Sequence, residues 1–368
     1  MNSKYYKAIA ILHRLSLLKR RVSLPFKLIS SGFLRSESFF PELERKSRIR
    51  ILFDLLAHIW KYGSIEWHYF SYGFDIKGFR KQFDYLDDSD FLWKASMLNT
   101  VLPERDCTCI LRDKHLFSLF LTAWGFRSPR EVGVLNQTEG DKTVLDRVFI
   151  HDGDYFFKPI DGQCGSGVFE LKVSENRVCL GNGKMIEKED VTKLIGGGYI
   201  IQDKVRQHTL MNTLYDRSIN TLRLVTVYNK NADIVVPFSA VLRVGAHGNV
   251  VDNWASGGLA VGVDMAKGCL KGDGFYKHGK GTRTKVHPDT GVLFDGYMIP
   301  YFREAVMEAS NLHRHLLPLM VIGWDIAITP DGPLFIEGND NMEISINQEV
   351  NGGLRKQFES IISSFHRF

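Results

Sequence analysis

The chain has 368 residues, 44% of them hydrophobic and 24% charged, with a formal net charge of +5. That composition belongs to an ordinary globular protein with room for two or three lobes, and it excludes disordered, collagenous and disulfide-stapled classes. The charge excess is too small to call for nucleic acid, and no nucleic-acid partner is expected.

The charge is unevenly placed. Lys4, Lys7, Arg14, Lys19, Arg20, Arg21, Lys27, Arg35, Arg45, Lys46, Arg48 and Arg50 stand against only Glu37, Glu42 and Glu44 at the N-terminus. Such a basic, apolar segment suits peripheral contact with an anionic membrane or an acidic partner; the alternative is a solvated helix packed on its own domain. No stretch reaches the roughly 18 apolar residues that a spanning helix needs. Charges interrupt every apolar core that a signal peptide would use. Of the cysteines, Cys107 and Cys109 lie close together, but Cys164, Cys179 and Cys269 are scattered, so no zinc framework forms. Free thiols predict a reducing, cytoplasmic setting.

Residues 1 to about 105 read as mainly helical. Ile51, Leu52, Leu55, Leu56, Ile59 and Trp60 recur at helical spacing across Ile49 to Tyr62. The aromatics Trp67, Tyr69, Phe70, Tyr72 and Phe74 follow and are expected in a core. Asp113 to Trp124 predicts a helix capped by Asp113 and stopped by Gly125. Strand-like runs come next: Asp154 to Ile160, Gly167 to Val173, Arg177 to Leu180, Gly198 to Val205, Thr221 to Tyr228 and Asp233 to Val244. An amphipathic helix from Pro300 to Leu316 precedes a final hairpin. Strands and helices mixed without regular alternation predict an α+β fold, with no internal repeat.

Three stretches carry chemistry. In the first, a strand delivers Lys158 and then a loop, Gly162-Gln163-Cys164-Gly165-Ser166-Gly167, returns into another strand. Glycines let backbone N–H groups wrap a phosphate, and the lysine adds charge; the alternative is a hairpin with a flexible tip. In the second, a strand ends in Gln202-Asp203-Lys204-Val205-Arg206-Gln207-His208 and could offer unpaired backbone groups to a purine edge. In the third, Arg223 and Arg243 each sit among apolar strand neighbours and need an anion, either phosphate, a substrate carboxylate or a structural acid. The polar loop Asp252 to Gly258 follows, well placed to line a site.

The hairpin is the densest signal. Pro330-Asp331-Gly332 between apolar runs predicts a turn, and folding symmetrically about Asp331 sets Asp325 opposite Glu337. Asn339 shares the face of Glu337. Two carboxylates about 5 Å apart repel unless a cation lies between them. Two carboxylates and an amide oxygen are hard ligands that suit Mg²⁺ held together with substrate phosphates.

The order of these motifs resembles the ATP-grasp superfamily: Lys114, Lys158, the loop Gly162 to Gly167, Gln202 to Val205, Arg223, then Asp325 and Glu337-Gly338-Asn339. Ser218 to Arg223, Trp254 to Gly258 and His287 to Gly291 look like the sugar-transfer-associated group within it. The resemblance implies an ATP-grasp fold of two α+β lobes after a helical region, divided here as 1–110, 111–197 and 198–368. It implies ATP held by Lys114, Lys158, Gly162, Gly165, Ser166, Gly167, Gln202, Asp203, Lys204, Val205 and His208. It places Mg²⁺ on Asp325, Glu337 and Asn339, and gives Arg223 and Arg243 the charge of the transferring phosphoryl group. The implied reaction is ligation of a small-molecule acid to an amine through an acyl-phosphate, with an amino sugar of a surface polysaccharide as an expected amine. A kinase acting on a hydroxyl and a non-catalytic nucleotide-binding module are the alternatives.

Overall fold

The computed structural model describes residues 3–79, 81–101, 106–136, 138, 140–162, 166–175, 177–195 and 197–363. The N-terminal region holds three helices, α1 (Ser3–Ser30), α2 (Arg48–Tyr62) and α3 (Asp88–Ser96). Ser47 caps α2 by accepting from the Arg50 N–H, and Gly63 ends it in the left-handed region at φ 67°. Ile51, Leu55 and Ile59 pack against Phe33, Phe39, Phe70, Tyr72 and Phe74, the aromatic core expected from sequence. Trp67 departs from that expectation, being 39% exposed. Helix is also less extensive than predicted, because the links around α2 run as turns and single 3-10 turns.

The middle of the chain contains α4 (Thr108–Arg112), α5 (Lys114–Ala123), β1 (Glu131–Leu135), α6 (Gly140–Ile150), β2 (Gly153–Pro159), β3 (Phe169–Ser174), β4 (Arg177–Leu180), α7 (Lys188–Val191) and β5 (Tyr199–Asp203). Its strands form an antiparallel sheet in the order β1-β5-β2-β3-β4. Leu145, Val148 and Phe149 of α6 share a core with Leu135, Phe157, Leu171 and Ile201 of that sheet. Asp113 caps α5 as predicted, accepting from the Leu116 N–H at 2.9 Å. Helix α5 itself buries Phe117 and Leu121 in the core of the second sheet, with Phe117 stacked 6.4 Å from Trp324.

The second sheet follows, with α8 (Thr209–Leu214), β6 (Thr221–Asn229), β7 (Ile234–Val244), β8 (Leu259–Asp264), β9 (Cys269–Tyr276), β10 (Arg283–Thr284), α9 (Phe302–His315), β11 (Val321–Thr329), β12 (Gly332–Asn339), α10 (Ser345–Asn351) and α11 (Arg355–Ile361). Its strand order is β10-β9-β8-β7-β6-β11-β12, again antiparallel. Side chains alternate across it. Leu222, Leu224, Trp324 and Ile326 pack with Phe302, Ala305 and Ala309 of α9. On the other face Val225, Val227 and Val321 pack with Phe91 of α3 and Phe358 of α11. Further along that same face the residues are Arg223, Arg243 and Asp325.

The hairpin β11–β12 turns between Pro330 and Asp331, since Thr329 pairs with Gly332. That centre lies half a residue before the one expected. A bulge between Asp325 and Ile326 makes up the difference, so Asp325 still pairs with Glu337.

Asn99 ties the N-terminal region to the start of β11 and the end of β12. Its Nδ2 donates to the carbonyls of Val321 at 2.7 Å and Asp340 at 3.1 Å. Its Oδ1 accepts from the N–H groups of Met320 at 2.8 Å and Val321 at 3.1 Å. Removing it strands buried backbone groups on both sides. Asn99→Ala is therefore expected to lower the unfolding free energy by about 3 kcal/mol, read from urea denaturation.

Candidate functional site

A cavity of about 1900 Å³ is lined from both sheets, with Lys114, Lys158, Arg223, Arg243, Asp325, Glu337 and Asn339 on its wall. The sheet register supplies its floor. Glu337 of β12 pairs with Asp325 of β11, which pairs with Arg223 of β6, so three charged residues stand in one row. Arg243 reaches the same point from β7, where it pairs with Thr221.

Arg223 grips Asp325 with two bonds, Nε to Oδ1 at 2.5 Å and Nη2 to Oδ2 at 3.0 Å. Arg243 adds Nη2 to Oδ2 at 3.0 Å. The anion that the two arginines need is thus Asp325, the residue expected to bind metal. Burial opposes charge on Asp325, but the two guanidinium groups overcome it and hold the carboxyl well below the usual range. Burial and the Asp325 charge together push Glu337 up. Asp252 completes the set: it accepts from the Thr221 N–H at 3.0 Å and from its hydroxyl, and lies 3.6 Å from Arg243 Nε.

Two lysines face this acid pair, Lys114 from the start of α5 and Lys158 from β2 of the smaller sheet. Lys114 begins α5, where its N–H donates to Ile160 O at 3.1 Å and its Nζ to Gly162 O at 2.5 Å. Lys158, on β2, donates from Nζ to Gln202 Oε1 at 2.9 Å. Burial lowers the Lys158 ammonium to about 8, and neighbouring Lys114 adds to the fall while Glu337 resists it. Lys114 is lowered by burial too, against the pull of Glu337 and Asp161.

The Gly-rich loop is only partly described, and Gly165 lies outside the described residues. Gly162 and Ser166 line the cavity. Gly167 sits behind them at φ 73°, where an added Cβ would meet Pro159 Cγ at 2.9 Å and Tyr199 Oη at 3.0 Å. That crowding and the left-handed backbone account for glycine there.

The segment from Gln202 to His208 departs from expectation. Its strand, β5, is not an edge but lies between β1 and β2. The N–H groups of Asp203 and Lys204 are already bonded, to Arg130 O at 3.0 Å and Asp154 O at 2.8 Å. Gln202 is buried and holds Lys158, rather than lining the cavity. The side chains of Asp203 and Lys204 pair with Arg130 at 3.3 Å and Glu170 at 2.7 Å. Asp203, Lys204 and Val205 do line the cavity, and so do Arg206 and Gln207. His208 does not: its Nδ1 accepts from the Leu210 N–H at 3.1 Å to cap α8, and its ring packs on Tyr301. The buried Gln207 is the organiser instead, donating to the Tyr215 and Ser218 carbonyls and accepting from Asn220.

Two participants had no assigned role from sequence. Asp252 is one, and its signal was the polar loop following the Arg243 strand. The other is Arg112, bidentate on Asp340 at 3.1 and 2.6 Å, which joins the start of the Lys114 helix to the end of β12.

The donors at Asp325, Glu337 and Asn339 fit a divalent cation. Asn339 Nδ2 is buried without a partner. Turned end for end, that amide points its oxygen to the same place. Asp325 is already shared with two arginines, so Glu337 and Asn339 are the freer ligands. Among the described residues, His58, Glu66 and Asp87 also converge, within 4.8 Å of one another, but far back in the N-terminal region. There Asp87 is taken up by His58 at 2.9 Å and Ser64 at 2.6 Å.

The profile of the family described as sugar-transfer associated ATP-grasp matches residues 95–362. No curated protein matches the chain. Among solved structures, D-cycloserine synthetase DcsG is 16% identical, over 75% of this chain and 78% of that one, at a TM-score of 0.42. D-alanine-D-alanine ligase from Helicobacter pylori is 12% identical, over 75% and 68%, at 0.44. D-alanyl-alanine synthetase A from Vibrio cholerae is 9% identical, over 70% and 60%, at 0.41. The chain thus spans less than two thirds of this last protein, and 46% of the N5-carboxyaminoimidazole ribonucleotide synthetase solved with ADP. At such identities the likeness concerns the fold.

The charge row separates two substitutions. Asp325→Ala leaves Arg223 without its anion and Arg243 with Asp252 alone, and is expected to cost about 3–5 kcal/mol of stability. Glu337→Gln removes a repulsion and is expected to leave stability unchanged or raised. A carboxyl whose folded pKa is raised stabilises fully below its unfolded value near 4.5, and that contribution is lost as pH rises toward the folded value. The advantage of the Gln variant should therefore grow with pH above about 4.5, by up to about 1.4 kcal/mol per unit, in denaturant titrations run as a pH series.

Proposed function

Because this chain belongs to the sugar-transfer-associated ATP-grasp family and has its α+β fold, we propose that the cavity is the active site of an ATP-dependent carboxylate–amine ligase. The observation that carries the proposal is the convergence of Lys114 from the start of α5 and Lys158 from the smaller sheet on Glu337, Asn339 and the arginine-held Asp325 of the larger one. A carboxylate resists amines because its leaving group is poor. Attack of its oxygen on the γ-phosphorus of ATP releases ADP and forms an acyl-phosphate, from which an amine displaces phosphate. Such transfer needs positioning and charge neutralisation rather than a protein nucleophile.

In this reading Lys114 and Lys158 bind phosphate oxygens, and the loop from Gly162 to Gly167 covers them. The adenine lies along Asp203, Lys204 and Val205, with Gln202 fixing Lys158 from behind. Glu337 and Asn339, with Asp325, would hold Mg²⁺, which when bound neutralises phosphate charge. Arg243, its side chain 19% exposed against 11% for Arg223, is the arginine better able to turn toward a transferring phosphoryl group. The acid and amine are small molecules, and the family's sugar-transfer description favours an amino sugar of a surface polysaccharide as the amine. The region boundaries 1–110, 111–197 and 198–368 and a cytoplasmic setting belong to the same proposal.

Lys158 supplies a test that needs no knowledge of the acid. Burial holds its ammonium near 8, with Glu337 and Lys114 as charged neighbours. A phosphate beside it favours the charged form, so ATP binding near pH 8 should take up protons. The binding enthalpy should then change with the ionisation enthalpy of the buffer, and that dependence should vanish in Lys158→Met. With acids and amines screened for ADP release, hydroxylamine should trap a hydroxamate. ADP release with a phosphorylated alcohol and no hydroxamate would instead make the protein a kinase.

A further inference from the structure

Helix α1 has two apolar sides, and only one is used. Its packed seam is His13, Leu17, Arg21, Leu24 and Leu28. His13 stacks on Trp93 with ring centroids 4.5 Å apart, Arg21 lies over Trp60 at 5.4 Å, and Leu28 is fully buried. Leu17 packs so closely on Gly63 that a Cβ there would meet Leu17 Cδ2 at 2.6 Å. On the far side Ile11, Leu15, Leu18, Val22, Phe26 and Ile29 are 58, 56, 55, 71, 74 and 62% exposed. At about 100° per residue these six fall within an arc of about 80°, roughly opposite the seam. Helix α2 adds Ile49, Phe53 and Trp60, at 69, 62 and 71% exposure and helical spacing. Apolar stripes of this length on a folded protein mark a contact surface.

The charge decides the occupant. Lys4, Lys7, Arg14, Lys19, Arg20, Arg21, Lys27 and Arg35 precede the first acidic residue, Glu37. Arg14 and Lys19 fall on the two borders of the stripe. A second copy of α1 would bring the same charges with no acid to answer them, whereas helix pairs use opposite charges along their flanks. An anionic lipid surface answers both features at once, burying the stripe among acyl chains and setting the basic flanks at the headgroups. No described helix is long and apolar enough to cross a membrane. We propose that α1 lies in the plane of an anionic bilayer through Ile11, Leu15, Leu18, Val22, Phe26 and Ile29, and holds the enzyme at that surface. This rests on the helix alone and is independent of the chemistry assigned to the cavity.

The test is flotation of the full-length protein with vesicles of phosphatidylcholine, with and without phosphatidylglycerol. Binding is expected only with the anionic lipid and should weaken as salt rises. The triple variant L18S/V22S/F26S should bind about tenfold or more weakly, and R14Q/K19Q should lose part of the binding and its salt dependence. Both variants should keep the melting temperature of the parent, since these side chains are exposed, so a lost interaction is not lost folding. Flotation that is absent, or that the triple variant retains, would overturn the proposal. So would a lipid-free dimer in light scattering that the triple variant dissociates, which would give the stripe to a second copy. ATP-dependent thermal stabilisation, read on the same samples, reports the cavity separately.

Discussion

Asp325 holds the charge order of the whole molecule. Arginine stays protonated at any working pH, so two guanidinium groups turned inward on a sheet demand an ionised partner. Arg223 and Arg243 find it in one carboxylate, across the ladder rather than along it. Once Asp325 must be charged, Glu337 on the next strand cannot ionise freely. Arg243 and Arg223 ease that repulsion from within the sheet, and Lys114 and Lys158 face Glu337 across the cavity at some cost in desolvation. The carboxylates of the larger sheet thus face Lys114 at the start of α5 and Lys158 on the smaller sheet across the cavity.

The same sheet face shows how one surface serves two purposes. Toward Val225, Val227 and Val321 it is a packing surface for α3 and α11. A few residues along the same strands it carries Arg223, Arg243 and Asp325. Period-two alternation puts both sets on one side, so no rearrangement of the backbone is needed to pass from core to site. The opposite face, under α9, is mainly apolar, with Thr226 taking the Trp324 indole N–H and bonding His313 of α9.

What could be read in the sequence follows from how local the physics is. The Asp113 cap, the strand bearing Lys158 and the hairpin bearing Asp325 and Glu337 each depend on residues within a few positions, and each is visible in the chain. The bulge beside Asp325 leaves no such mark, and the expected pairing holds because the bulge offsets the true centre of the turn. Strands β8 and β9 are broken by Gly262, Gly272 and Gly274, which hide their alternation, and β10 is only Arg283–Thr284. The segment at Gln202 to His208 misleads for a different reason. Whether a strand is an edge is a property of its neighbours, and β1, which covers β5, is a short run with little signal. The partner of the two arginines was likewise a matter of register, lying 102 residues from Arg223 and 82 from Arg243.

The N-terminal region is fastened by the far end of the chain. Gln348 accepts from the Leu86 N–H at 2.7 Å and donates to its carbonyl at 2.9 Å, across 262 residues. His68 and Ser71 both bond Glu349, and Arg283 reaches back to Phe39 O at 2.9 Å. During synthesis the first hundred residues leave the ribosome long before any of these partners exist. Contacts of such separation close late, and until then Phe70, Tyr72 and Leu28 of the α1 seam have no completed core to join. The order of translation therefore runs against the order of assembly, which makes the nascent N-terminal segment a substrate for chaperones and the final helices the step that commits the fold.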